Sequence, residues 1–140
     1  MRIAASGSAT DDLGKLILRV ALAVLILFHG VAKIIGGVGF ITGLVAKAGL
    51  PPVLGYLVYV GEVLAPLLIL FGAWTRVAAL VVAMNMVVAV ALVHMGDLFS
   101  MTKTGGWALE LQGMYLAAAL AVALLGAGRY SVGGANGRLN

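Results

Sequence analysis

Four apolar stretches, at residues 13–35, 53–71, 77–95 and 107–125, account for most of this chain. Each is close to the ~20 residues with which a helix crosses a hydrocarbon core. In lipid the backbone must satisfy its own polar groups, so stretches of this length fold as helices. Hydrophobic residues make up 63% of the 140 and charged residues 10%, too little polar surface to coat a soluble domain. The expected fold is therefore an all-α membrane protein, a bundle of four transmembrane helices with a short interfacial segment between helices 1 and 2.

The organisation follows from the breaks. Residues 1–12 are small and polar and read as a flexible N-terminal segment, residues 13–132 as the membrane domain and 133–140 as a tail. No small-residue cleavage site follows the first apolar run, so that helix is expected to remain in the protein. The connection from Gly36 to Pro52 mixes glycines with Phe40, Ile41, Leu44 and Val45 around Lys47, and reads as an amphipathic piece lying in the interface. Pro51 and Pro52 can open the second helix without losing a bond. Trp74 and Arg76 flank a tight second turn as interface anchors, and residues 96–106 form the one markedly polar loop.

Charge sets the expected sidedness. Arg2, Lys15, Arg76, Arg129 and Arg138 fall at one end, against Lys47 and Lys103 at the other, which puts both termini in the cytoplasm. Arg19, two turns inside the first helix, is expected to snorkel to that same end. The net charge of +4 is scattered over helix ends and forms no nucleic-acid patch. With no cysteine, the chain has no thiol–disulfide chemistry, no iron–sulfur cluster and no cysteine-ligated metal of its own.

The informative residues are the polar ones inside the apolar runs. Glu62 lies near the middle of the second, where a carboxylate costs at least ~2.5–3.5 kcal/mol unless a partner, water or ligand meets it. Pro66 lacks the N–H that would pair with the carbonyl four residues earlier, which belongs to Glu62 itself. By helical rise, His29 and Lys33 on the first helix share a face near its outer end, and His94 and Glu110 fall within about one turn of that end. Glu62, His29, Lys33, His94 and Glu110 are thus expected to converge in the outer half of the bundle as a ligand-binding site. Glu110 shares a stripe with Gly113, Ala117 and Ala121, small residues that permit close helix approach, and so should point inward. Asn85 and Gln112 are expected to hydrogen-bond between helices.

Each of these has a plainer reading. Lys33 and Glu110 are shallow enough to be interface anchors, His94 could be a helix-end cap, and Glu62 with Lys33 could be a buried ion pair that fixes packing. Of the specific chemistries, a haem on His29 and His94 requires two histidines at like depth, and these differ by several Å. A metal site would use the histidines with Glu62, Glu110 or Met95, without a recognised ligand spacing. A quinone or another amphipathic molecule fits better: its head group would bond a histidine and a carboxylate while its tail lay between helices.

The motifs Gly30-Val-Ala-Lys33, Gly49-Leu-Pro51, the lone Glu62, Gly72 with Thr75-Arg76, His94, Gly105-Gly106 before Glu110, and Gly126-Ala-Gly128-Arg129-Tyr130-Ser131 stand in an order and spacing that resembles the DoxX family. The resemblance covers about residues 13–132. It departs at Gly133, where an aspartate is common in that family. It implies a bacterial inner-membrane four-helix protein, associated with an oxidoreductase system and working with a protein partner that carries a redox cofactor, or as a homo-oligomer. The alternative is a non-catalytic assembly factor or scaffold for another membrane complex.

Overall fold

The computed structural model describes residues 8–140, and all of its regular elements are helical. The first helix, α1, spans Ala9–Gly36. Ser8 caps it: its hydroxyl oxygen accepts from the Asp11 N–H at 3.2 Å, and the Asp11 carboxylate accepts from the Ser8 N–H at 3.0 Å. This reciprocal box, with two acids in the first turn facing the helix dipole, starts the helix before residue 13. Asp12 is buried, accepts from the Arg129 N–H at 3.1 Å and pairs with the Arg129 guanidinium at 3.5 Å. Residues 9–12 therefore belong to α1 with Ser8 as its cap, and the remainder of the expected flexible segment lies outside the described residues.

After α1 the chain forms a short helix, α2, at Gly39–Lys47, then turns at Gly49 (φ 79°) into Pro51. Pro52 opens a composite helix, Pro52–Phe71, that changes its winding along its length. A 3-10 section covers Pro52–Leu57, a π turn Val60–Leu64, and an α-helical section, α3, Ala65–Phe71. The π turn is closed by the Ala65 N–H on the Val60 carbonyl. Gly72, left-handed at φ 74°, ends the helix by donating to Leu68 O at 2.9 Å. Trp74, also left-handed, leads into α4 at Thr75–Val93, and α5 follows at Glu110–Leu125.

Three helices are long and apolar enough to cross a membrane: α1, Pro52–Phe71 and α4. The fourth expected stretch differs. Its helix begins only at Glu110, because residues before it form a hairpin with a bridge between Met101 and Trp107. At 16 residues, α5 extends only ~24 Å.

The core packs Leu22, Ala23 and Ile26 of α1 against Ala65 and Ile69, Ala79 and Val82 of α4, and Ala119 and Val122 of α5. The many alanines let the helices approach closely where lipid gives no hydrophobic driving force between them. The buried face of α5 is Tyr115, Ala119 and Val122. The expected Gly113, Ala117 and Ala121 stripe is not that face, since Ala117 is exposed and Gly113 lies against the Trp107 ring.

One end of the bundle is tied by two arginines. Arg19 does not snorkel: it is 2% exposed, and its guanidinium donates to Ile69 O at 2.9 Å, Leu70 O at 2.6 Å and Tyr130 O. Helix carbonyls left open at the end of α3 are a better destination than the distant interface. Arg76 serves α5 in the same way, donating to Ala123 O at 2.8 Å and Leu124 O at 2.7 Å. The tail folds back beneath this end, where the Asn140 side-chain oxygen accepts from the Thr75 hydroxyl at 2.8 Å. The start of α1 and the chain after α5 thus lie side by side.

Candidate functional site

The π turn places Glu62 at the centre of the bundle, 6% exposed. Its carboxylate receives two donors from two other helices. Lys33 of α1 pairs with one oxygen, and the Asn85 amide of α4 donates to the other at 3.3 Å. Lys33, 25% exposed at its side chain, remains the open end of this group. An ammonium has three donors, and one of them goes to Glu62.

Three features outside the expected residue set complete the arrangement. Gly61 makes room for Asn85, since a β-carbon at residue 61 would lie 2.5 Å from the Asn85 amide carbon. Gly30 makes room for the Glu62 backbone, its missing β-carbon leaving space for the carbonyl. The Tyr59 hydroxyl donates to Lys33 O at 3.0 Å, holding the last turn of α1 in place. A glycine directly before an intramembrane acid is the sequence signal that could have pointed to Gly61. Tyr59 gave none, being one of two tyrosines, with Tyr56, near a helix start.

An apolar groove opens beside this group between α1 and the composite helix. It is wide open, with a volume of about 530 Å³, and is lined by Ile34, Tyr59, Val60, Val63, Leu64 and Leu67, with none of Lys33, Glu62 and Asn85 in its wall. Val60, Val63 and Leu64 belong to the π turn that carries Glu62, and Ile34 follows Lys33 in the chain.

The other expected site residues have no hydrogen bond or ion pair to this group among the described residues. His29 is exposed on α1 and meets the Tyr115 ring edge-on, with ring centres 6.0 Å apart. His94 caps the end of α4, nine residues or ~13 Å of helix beyond Asn85. Its Nδ1 lies 3.4 Å from the Asp97 carboxylate and its Nε2 3.4 Å from the Gln112 amide nitrogen. Gln112 is thus the interhelical partner expected of it, while its own buried oxygen has no hydrogen-bond partner among the described residues. Glu110 points away from the bundle interior. It is exposed at the first turn of α5, where its carboxylate folds back over Gly106. A helix that starts at residue 110 puts that residue at its mouth, where the dipole favours an acid.

The structure therefore joins Lys33 and Glu62, adds Asn85, and separates His94 and Glu110 from them. Among the described residues no three His, Asp or Glu side chains gather as metal ligands. What the Lys33–Glu62–Asn85 group offers is hydrogen bonding at intramembrane depth: spare ammonium donors, a carboxylate able to take up a proton, and a neighbouring surface suited to an apolar chain.

The model of one protein family, DoxX, matches residues 14–95, which include Lys33, Glu62, Asn85 and His94. Neither a curated protein nor a solved structure matches the chain.

Proposed function

Because the chain belongs to the DoxX family and its helices make it a multi-pass membrane protein, we propose that it binds a quinone or similar lipid-soluble molecule between α1 and the composite helix. In this reading it crosses the bacterial inner membrane four times with both termini cytoplasmic, as the charge asymmetry favours. The observation that carries the proposal is the partly open Lys33 ammonium, held by buried Glu62 beside an apolar groove of about 530 Å³. Its apolar lining suits the hydrocarbon tail of such a molecule. A quinone carbonyl would accept from Lys33, and the tail would lie along Val60, Leu64 and Leu67. Glu62 is then the group to exchange a proton with the ring. Electrons would come from a partner protein bearing a redox cofactor, with this chain acting as the membrane subunit of an oxidoreductase system.

The test is the lipid content of the purified protein. Parent protein in a membrane mimetic should retain quinone in stoichiometric amount by mass spectrometry. The double variant Lys33→Met, Glu62→Gln should remain folded and lose it. A filled groove, as in Leu64→Trp, should lose it with the ion pair intact. Equal quinone content in all three proteins would remove the proposal.

A second reading has its own support. Both Glu62 oxygens already have partners within the protein, as in a packing staple for a non-catalytic assembly factor. It predicts a protein that carries no small molecule, travels with another membrane protein, and keeps cellular activity in the double variant.

A further inference from the structure

The segment between α4 and α5 is polar in sequence but apolar in what it shows. Phe99 is 93% exposed, Met101 65%, Met95 58% and Trp107 40%. Thr102, Lys103 and Thr104 form its tip, where the chain turns with Thr102 N–H on Gly106 O at 2.7 Å, while Ser100 donates to Gly96 O and exposed Asp97, before the hairpin, lies 3.4 Å from His94 Nδ1. Below the tip the two arms are bonded to each other, Ala108 N–H to Ser100 O at 2.9 Å, and the Trp107 indole N–H donates to Leu98 O at 2.9 Å. Large apolar side chains are presented outward, and many of the backbone groups behind them are satisfied within the hairpin.

Those two properties suit non-helical backbone at the edge of a bilayer, where unpaired polar groups are costly. The length of α5 supplies the independent argument. Its 16 residues rise ~24 Å against a hydrocarbon core of ~30 Å, so a helix that crosses leaves a shortfall of several Å. The hairpin stands at the start of α5, adjoining the lipid-facing surface of the helices.

We infer that the hairpin of residues 98–109 is itself a membrane element, seated in the leaflet at that end of the bundle. Its base of Phe99, Met101 and Trp107 lies at the acyl boundary and completes the short crossing of α5. Lys103 at the tip meets lipid phosphates, which match its charge. The occupant of this surface is the bilayer itself. The inference rests on α5 crossing the membrane, and the experiment separates the two.

Trp74→Phe leaves Trp107 as the lone tryptophan of the chain. The variant is placed in phosphatidylcholine vesicles whose acyl chains carry bromine at chosen depths, and iodide is added from water. Trp107 emission should be quenched by shallow bromines, at a depth of about 5–10 Å, and be insensitive to iodide. Free quenching by iodide overturns the proposal. Shielding from both quenchers also overturns it, since the cover would then be protein. A nitroxide at Phe99→Cys, possible because the chain has no cysteine, should be reached by oxygen better than by a water-soluble nickel chelate. The same label at Leu120→Cys reports α5. A wet hairpin with a lipid-facing Leu120 removes this inference alone, whereas a wet Leu120 removes the fourth crossing as well.

Discussion

The Glu62 carbonyl occupies the space that a side chain at Gly30 would need. A β-carbon on residue 30 would lie 2.8 Å from the Glu62 carbonyl carbon and 2.8 Å from Val63 Cγ2, closer still to the carbonyl oxygen. Backbone atoms cannot yield as a flexible side chain can. Gly30→Ala should therefore push α1 off the π turn and destabilise the protein by about 1–3 kcal/mol. Gly14, on the same helix with nothing within 4 Å, is the control, and Gly14→Ala should be neutral or stabilising. Thermal unfolding of both variants in the same detergent decides this, and equal midpoints would contradict the packing described.

Breaking the ion pair from one side should cost more than removing it. Lys33→Met leaves a buried carboxylate with only Asn85, and Glu62→Leu leaves an ammonium pointing at apolar atoms. Each single change is expected to cost about 3 kcal/mol, the low end for a buried pair because Lys33 keeps some access to its surroundings. The double change should recover most of that. A double-mutant cycle on unfolding midpoints is the measurement, and additive losses would mean that the two groups do not depend on each other.

Arg19 should not tolerate lysine. An ammonium cannot reproduce the planar fork that reaches three carbonyls, and the carbonyl it abandons would be left buried. Arg19→Lys is expected to destabilise by about 1–3 kcal/mol, and hydrogen exchange should rise at residues 69–72 and 130–133. A snorkelling arginine would accept this substitution silently, so the exchange pattern distinguishes the two placements.

At Gly133 the space for a side chain is already taken. A β-carbon there would lie 2.6 Å from the Asn140 amide nitrogen, so Asn140 fills the space into which an acid at 133 would project. Gly133→Asp alone should expel Asn140 from Thr75 and lower the unfolding midpoint. The pair Gly133→Asp, Asn140→Gly should recover part of the loss. Failure of the second change to help would show that the two positions are independent.

The sequence made some of this legible and hid the rest for identifiable reasons. Helical rise and the rarity of an intramembrane acid pointed to Glu62 and Lys33, and Asn85 stood out as the lone amide in its stretch. Depth along a helix says nothing about azimuth. Glu110 therefore looked convergent with Glu62 although it is a first-turn residue facing outward, whereas His94 differs in depth, a helix cap ~13 Å of helix beyond Asn85. Arg19 was misread because the carbonyls that receive it belong to a helix end fifty residues away. The short α5 was masked by composition, since the hairpin before it is apolar where it faces outward.

The π turn has a further consequence, for comparison among relatives. Five residues in that winding hold about one residue more than an α-helix would place over the same length. Removing one position from Val60–Leu64 would let the turn close as an ordinary α-helix, with the helix on either side keeping its facing. Only residues inside the turn would change their facing, and Glu62, which the turn presents to Lys33 and Asn85, is one of them. A single-residue gap in this stretch of an alignment would thus mark a relative in which the acid is set differently against its partners while the faces of the helix around it are kept.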